Sequence, residues 1–142
     1  MESLKNKTSY VTGAGSGLGR EIAIQLAKQG SNVILLGSNE KNILSVEHEI
    51  QKMGVNAQAY TLDLSIHGKA DRFIKILIKK YGIDILINNA GVAGPAKEVH
   101  ELTAKELHDI YQINSIAPME CISAVVPKMR DQGSGYIINI SS

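Results

Sequence analysis

The chain has 142 residues, of which 44% are hydrophobic, and this is enough for one core of ordinary domain size. Its formal net charge is +1 at pH 7, which argues against nucleic acid or an anionic membrane as a partner. The sequence has neither an apolar signal region at its N-terminus nor a window long enough to span a membrane, so we expect a cytoplasmic protein.

The first predicted elements flank a glycine-rich stretch. A short strand ends at Val11, residues 12–20 read Thr-Gly-Ala-Gly-Ser-Gly-Leu-Gly-Arg, and a helix follows that ends at Gly30. The buried stripe of this helix is predicted at Leu18, Ile22 and Leu26, with Ala23 and Ala27 beside them. Glycines leave backbone N–H groups uncovered and a helix N-terminus attracts anions, so the stretch predicts a phosphate-binding turn. The alternative is a flexible connector or a simple turn between strand and helix.

The spacing of these glycines narrows the prediction. A G-x-G-x-x-G fingerprint would need glycine at Leu18 or a small residue at Arg20, and the sequence has neither. The pattern that fits is Thr-Gly-x-x-x-Gly-x-Gly, on Thr12, Gly13, Gly17 and Gly19. The stretch also lacks the Gly-Lys-Ser/Thr ending of a P-loop, which disfavours an ATPase or GTPase.

Strand-like and helix-like segments alternate through the middle of the chain. Residues 33–36 predict a second strand, and a helix capped by Asn39 and ended by Gly54 follows it. We expect its buried face at Ile43, Val46, Ile50 and Met53. A third strand covers residues 55–60, and a third helix begins at Ser65 and ends at Gly82. Its inner face is predicted at Ala70, Phe73, Ile74 and Leu77.

The last third of the chain predicts a strand, a long helix and another strand. Residues 83–87 form the fourth strand and lead into Asn88-Asn89-Ala90-Gly91. Thr103 and Glu106 make a capping box that opens the helix, which Pro118 and Pro127 are expected to bend or fray. One face of this helix is predicted to carry Leu107, Ile110, Asn114, Cys121, Val125 and Met129. The fifth strand, residues 136–140, stops at Ser141 and Ser142.

Five strands separated by four helices predict an α/β fold, a Rossmann-like doubly wound parallel sheet with helices on both faces, incomplete at its C-terminal end. We expect residues 1–142 to form one dinucleotide-binding domain. Ligands of such sheets bind beyond the carboxyl ends of the strands. Each motif follows a strand: residues 12–19, 37–38, 63–64, 88–91 and 141–142. The sequence therefore predicts one crevice that brings them together.

These motifs resemble those of the short-chain dehydrogenase/reductase family. The Thr-Gly-x-x-x-Gly-x-Gly turn, Asn88-Asn89-Ala90-Gly91 and Ile138-Asn139-Ile140-Ser141-Ser142 occur in the order that the family has them. The resemblance implies an NAD(P)-dependent oxidoreductase that transfers a hydride between nicotinamide and an alcohol or carbonyl carbon. It also implies a small alcohol or ketone substrate, and a homodimer or homotetramer for the full-length form.

The resemblance assigns cofactor contacts to three segments. The turn that holds the pyrophosphate falls on Thr12, Gly13, Ser16, Gly17, Leu18 and Gly19. Asp63 would accept a hydrogen bond from the adenine amino group, with Leu64 giving a backbone contact, while a local cap at Ser65 is a compatible alternative. The segment beside the nicotinamide ribose falls on Asn88, Asn89, Ala90 and Gly91, and a loop with no ligand role is the alternative.

Two residues match the family's catalytic asparagine and serine. Ser142 would orient the substrate oxygen, and Asn114 would hold a water in a proton relay. Alternatively, Asn114 satisfies a backbone carbonyl where its helix bends near Pro118. None of the five tyrosines has a lysine four residues later, so the family's Tyr-x-x-x-Lys motif is not in this sequence. We therefore expect an N-terminal part of an enzyme, inactive alone; the alternative is a non-catalytic dinucleotide-binding or interaction module.

The cofactor preference is predicted from the end of the second strand. Gly37 and Ser38 stand there without the carboxylate that selects NAD by binding the ribose 2′-OH, so NADP is favoured over NAD.

Metal chemistry is not predicted. His48, His67, His100 and His108 lack metal-ligand spacing and are expected at the surface. Cys121 is expected to be a small buried residue and not a nucleophile.

Overall fold

The computed structural model describes residues 3–141, and a single parallel sheet organises them. Its strands are β1 (Thr8–Thr12), β2 (Asn32–Gly37), β3 (Ala57–Thr61), β4 (Ile85–Asn88) and β5 (Tyr136–Asn139). Their order across the sheet is β3-β2-β1-β4-β5, with every neighbouring pair parallel. All five residues of β1 are buried, as are the four central residues of β2, because both strands are covered on two faces.

Within these residues, five α-helices connect the strands. They are α1 (Gly17–Lys28), α2 (Glu40–Gln51), α3 (Lys69–Tyr81), α4 (Ala104–Tyr111) and α5 (Ala117–Gln132), and a short 3₁₀ helix spans Val99–Glu101. A π turn, Gln112–Ile116, joins α4 to α5, so the single long helix predicted from Thr103 is divided in two. The predicted capping box is present, since Thr103 and Glu106 bond each other's backbone.

The sheet separates two hydrophobic cores in the described part of the chain. Tyr10, Leu36 and Leu86 lie on the face that packs against α3 and α5. The opposite face packs against α1 and α2 through Val11, Leu35 and Ile87. Neighbouring strand residues point to opposite faces, which is why Leu35 and Leu36 enter different cores. The predicted doubly wound fold with helices on both faces is therefore confirmed.

The buried face of α1 differs from the prediction at its first turn. Ala23 and Ala27 are buried as predicted, but Leu18 is 56% exposed and Gly19 is buried in its place. A Cβ on Gly19 would collide with the carbonyl oxygen of Gly13, so the start of the helix lies against the backbone of the turn that follows β1. Small residues spaced four apart permit this close approach, and the helix is rotated so that Leu18 faces solvent.

The π turn has a cause in the sequence. Pro118 has no N–H, so it cannot complete the α-helical bond to the carbonyl of Asn114, and the N–H of Ala117 donates instead to Gln112, five residues earlier. The extra residue rotates the apolar stripe between the two helices. Leu107, in α4, is 44% exposed, whereas Cys121 and Val125, in α5, are fully buried as predicted.

Several boundaries also differ from the prediction. The third helix begins at Lys69 and not at Ser65, because Gly68 adopts a φ of 72° that no α-helix contains. Met53 is 40% exposed because α2 ends at Gln51, before reaching it. The strands β3 and β4 begin two residues later than predicted, and β5 ends one residue earlier. None of the helices within residues 3–141 combines the length and hydropathy that crossing a bilayer requires.

Candidate functional site

A cleft of about 330 Å³ lies beyond the carboxyl ends of the strands. It brings together most of the motifs singled out from the sequence. Its lining includes Gly13, Ser16, Gly37, Ser38, Asp63, Leu64, Asn89, Ala90 and Gly91. Leu36, Leu62, Val92 and Ile113 complete it and were not predicted. Leu36, Leu62 and Val92 directly flank predicted motifs. Ile113 belongs to the π turn, and no local sequence pattern indicates that this turn lies beside the cleft.

Thr12 lies beneath this cleft and not in its wall. The residue is 2% exposed, and its hydroxyl accepts hydrogen bonds from the main-chain N–H groups of Asn89 and Ala90, each at 3.0 Å. The same hydroxyl donates to the carbonyl of Ile87 at 3.5 Å. Thr12 therefore fastens the loop after β4 to the end of β1, and its side chain is not available to a ligand.

Asn89 connects that loop to the glycine turn from the other direction. Its side-chain amide donates to the carbonyls of Thr12 at 3.1 Å and of Gly13 at 3.3 Å. Gly13 has a φ of 64°, and a Cβ there would lie 2.9 Å from the Cα of Ala90. The turn needs glycine at this position for both conformation and space.

The N-terminus of α1 faces the cleft with its positive end uncompensated. Ser16 is the N-cap residue, yet its side chain makes no capping hydrogen bond, and the first turn contains no acidic residue. Gly17 has a φ of 52°, and a Cβ added to it would meet no atom of the described chain within 4 Å. Free backbone N–H groups, a positive helix end and open space beside Gly17 fit a pyrophosphate.

Asp63 stands at the opposite wall with one carboxylate oxygen already engaged. Its Oδ1 accepts from the Ser65 hydroxyl at 2.7 Å and from the Ser65 N–H at 2.9 Å. These two hydrogen bonds, the hydroxyl's first, lower the pKa of Asp63 below its ordinary value. The turn-capping alternative is thus realised, although at a turn ahead of α3 and not at the helix itself, and Oδ2 is left for another donor.

Asn114 lies in a second cleft, of about 510 Å³, that shares Asn89–Val92 with the first. Its side-chain Nδ2 donates to the carbonyl of Val92 and its Oδ1 accepts from the N–H of Val92, both at 2.8 Å. The alternative role of Asn114, bonding a backbone carbonyl, is thus present, but the carbonyl belongs to Val92 and not to the helix bend near Pro118. Ser141 lines the same cleft, and Ser142 lies outside the described residues.

The remaining predicted residues do not line either cleft. Asn88 is 4% exposed, and its Nδ2 donates to Asn139 Oδ1 at 2.9 Å and to the carbonyl of Pro118 at 3.3 Å. Leu18 points to solvent, Gly19 is buried against Gly13, and Gly17 is exposed. The single predicted crevice is therefore two adjoining clefts with one loop as their common wall.

Other predictions about reactive side chains concern the surface and the core. His48, His67, His100 and His108 all reach the surface, as predicted. Within residues 3–141, no three His, Cys, Asp or Glu side chains come together in a way that could hold a metal ion. Cys121 is fully buried, and this burial raises the pKa of its thiol to about 12, as expected of a packing residue.

Comparison with known proteins identifies the family. Residues 7–142 match the sequence model of the short chain dehydrogenases. This chain belongs to the short-chain dehydrogenase family. Over 139 residues it is 37% identical to the 3-oxoacyl-[acyl-carrier-protein] reductase FabG of Staphylococcus aureus, covering 96% of this chain and 56% of that protein. An uncharacterised oxidoreductase of Staphylococcus epidermidis is 30% identical over 143 residues, which are 100% of this chain and 60% of that protein.

Solved structures of the family have the same fold. A metagenomic short-chain oxidoreductase in complex with NADP superposes with a TM-score of 0.95 at 33% identity, over 99% of this chain and 64% of that one. An NAD⁺-bound xylitol dehydrogenase gives 0.90 at 28% identity, over 99% and 55%. The chain thus spans about three fifths of the length of the family members it matches.

Proposed function

We propose that this chain binds NADP(H) in the two adjoining clefts and forms the cofactor-binding part of a short-chain dehydrogenase. The observation that carries the proposal is the convergence of Gly13, Ser16, Ser38, Asp63 and Asn89 on one cleft at the carboxyl edge of the sheet. The glycine turn and the N-terminus of α1 would hold the pyrophosphate. Asp63 would accept from the adenine amino group through Oδ2, and the loop 89–91 would lie along the nicotinamide ribose.

NADP is preferred over NAD in this proposal. The end of β2 presents the exposed Ser38 to the cleft, and among the described residues no carboxylate lines the cleft at that position to repel a 2′-phosphate. The NADP bound to the metagenomic relative supports this preference, while the NAD⁺-bound xylitol dehydrogenase keeps NAD as the second candidate.

For the whole protein we propose hydride transfer between nicotinamide and the carbon of a small alcohol or ketone. The cofactor supplies the hydride chemistry when bound. This chain would contribute Ser142 to orient the substrate oxygen and Asn114 to the proton relay, within one dinucleotide-binding domain that assembles as a homodimer or homotetramer. A positioned general acid raises the reaction rate roughly 10²–10⁴-fold. No tyrosine of this sequence has a lysine four residues later, so we expect residues 1–142 alone to show no turnover.

A matched pair of variants at Gly17 tests cofactor binding. Asp and Asn have nearly the same shape, and both tolerate the φ of 52° better than other side chains. Gly17→Asp adds a carboxylate at the N-terminus of α1, whereas Gly17→Asn adds none. NADPH and NADH are titrated into all three proteins by calorimetry, after circular dichroism has confirmed folding.

We expect the unmodified chain to bind NADPH more tightly than NADH. Gly17→Asp should weaken NADPH binding about tenfold or more relative to Gly17→Asn, because the carboxylate repels the pyrophosphate. Equal affinities of the two variants would contradict pyrophosphate binding at this turn. A folded chain that binds neither nucleotide would contradict the proposed function as a whole.

A further inference from the structure

A polar cluster outside both clefts connects α3, the π turn and α5. At its centre is the Glu120 side chain, which is 11% exposed. Its Oε1 accepts from the N–H of Gly68 at 2.7 Å and from Gln112 Nε2 at 3.3 Å, and lies 3.4 Å from His67 Nδ1. Three separate segments of the chain therefore meet at one carboxylate oxygen.

The hydrogens of this cluster can be assigned from its acceptors. His67 Nδ1 also lies 3.3 Å from Gln112 Oε1. An amide oxygen only accepts, so Nδ1 of His67 carries the proton and donates to Gln112 Oε1. The amide of Gln112 is then oriented at both ends: its oxygen accepts from His67 and its nitrogen donates to Glu120. Gln112 is 1% exposed, so alternative partners in water are not available to it.

Gln112 is the first residue of the π turn that carries Asn114. Asn114 in turn makes both of its 2.8 Å hydrogen bonds to Val92, in the loop that forms the wall shared by the two clefts. A continuous series of contacts therefore runs from Glu120 through Gln112 and the π turn to the wall of the clefts. Each connection is a hydrogen bond or a stretch of two residues.

We propose that Glu120 is a positioning residue which, with Gln112 and His67, fixes the π turn so that Asn114 holds the loop at Val92 in place. The benefit to NADP(H) binding rests on the proposed function, whereas the ordering of the loop does not. Glu120 lines neither cleft and acts only through Gln112 and the π turn.

Hydrogen exchange at the Val92 amide tests the proposal, because this N–H donates to Asn114 and reports the contact directly. Glu120→Ala removes the acceptor that Gly68 and Gln112 share, while Glu120→Gln keeps an oxygen for both without the charge. We expect the Val92 amide to exchange roughly tenfold faster in Glu120→Ala than in the unmodified chain, after correction for any change at the β4 amides. A tenfold change is the scale of losing one ordinary hydrogen bond. Glu120→Gln should restore most of the protection.

Gln132→Ala is the matched control. Gln132 lies at the other end of α5, where its Nε2 donates to the carbonyls of Ile83 at 2.9 Å and Ser134 at 2.8 Å. Its loss should lower the melting temperature without a selective effect on Val92. If Glu120→Ala does not fold, His67→Ala gives the same test at a side chain that is 79% exposed, and Val92 should again exchange selectively faster.

The outcomes separate this proposal from the proposed function. The positioning role would be overturned if the exchange rate at Val92 changed no more than the rates at the β4 amides in the folded variant. It would also be overturned if Gln132→Ala accelerated exchange at Val92 as much as Glu120→Ala does. NADPH affinity, measured in parallel, should fall severalfold in Glu120→Ala and recover in Glu120→Gln. An unmodified chain that fails to bind NADPH would overturn the proposed function and leave the Val92 result to decide the role of Glu120.

Discussion

Asn89 donates two hydrogen bonds to Thr12, one from its main chain and one from its side chain. The Thr12 hydroxyl accepts from the Asn89 main-chain N–H at 3.0 Å, and the Asn89 side chain donates to the Thr12 carbonyl at 3.1 Å. Thr12 ends β1 and Asn89 directly follows the adjacent parallel strand β4, so these two bonds fix the distance between the glycine turn and the loop after β4. The shape of the first cleft depends on that distance.

Replacing the Thr12 hydroxyl should therefore lower the free energy of unfolding by more than the loss of a single hydroxyl group suggests. Thr12→Val preserves the shape of the buried side chain but leaves the N–H groups of Asn89 and Ala90 without their acceptor. We expect the free energy of unfolding to fall by about 2–3 kcal/mol, because unpaired buried donors cost about 1–3 kcal/mol each. Urea denaturation measures the change. Thr12→Ser keeps the hydroxyl and should lose less than half as much; equal losses in the two variants would contradict the hydroxyl's role.

Asn114 needs both ends of its amide. Asn114→Asp keeps an acceptor for the N–H of Val92 but places a carboxylate oxygen against the Val92 carbonyl. We expect it to be no more stable than Asn114→Ala, with both about 1 kcal/mol below the unmodified chain. Ser115→Ala, at an exposed neighbour in the same π turn, is the control and should be neutral. An Asn114→Asp variant as stable as the unmodified chain would show that the bond to the Val92 carbonyl contributes nothing.

Ser38 should decide the choice of nucleotide. Ser38→Asp introduces a carboxylate at the end of β2, where it repels a 2′-phosphate and can bind a ribose 2′-OH. We expect NADPH affinity to fall about tenfold while NADH affinity stays or rises, so that the preference reverses. Calorimetric titration of both nucleotides checks this, with Ser38→Asn as the uncharged control. A variant that retains its preference for NADPH would show that the 2′-phosphate lies elsewhere.

The edge strand β5 should make this chain prone to association. Tyr136 and Ile138 are 69% and 50% exposed, whereas Ile137, on the opposite face, packs against the core of α3 and α5. Within residues 3–141 β5 is the outermost strand of the sheet, and an apolar strand edge invites pairing with other molecules. We expect Ile138→Lys to reduce light scattering at a given concentration, and Ile137→Lys to lower the free energy of unfolding by about 3 kcal/mol. An equally aggregating Ile138→Lys protein would rule out this face as the cause.

The sequence alone determined the fold class, because local chemistry and pattern agree along the chain. The unbroken apolar run of β2 predicts a strand covered on both faces, and Asn39 predicts the start of α2, where its side chain accepts from the N–H of Asn42 at 3.0 Å. The order of the glycine turn, Asn88-Asn89-Ala90-Gly91 and the final strand likewise indicated the family that the comparisons show. Each of these signals lies within a few neighbouring residues.

Only the tertiary structure decided which side of each element faces the site. Leu18 has the spacing of a buried residue, yet it faces outward because Gly19 lets the helix contact the backbone of Gly13, just after β1. Thr12 belongs to the cofactor motif, but its hydroxyl accepts hydrogen bonds from the N–H groups of Asn89 and Ala90, which follow it by 77 and 78 positions. Asn114 is bonded to a loop 22 residues earlier. Such contacts depend on how distant segments pack, and no local periodicity encodes them.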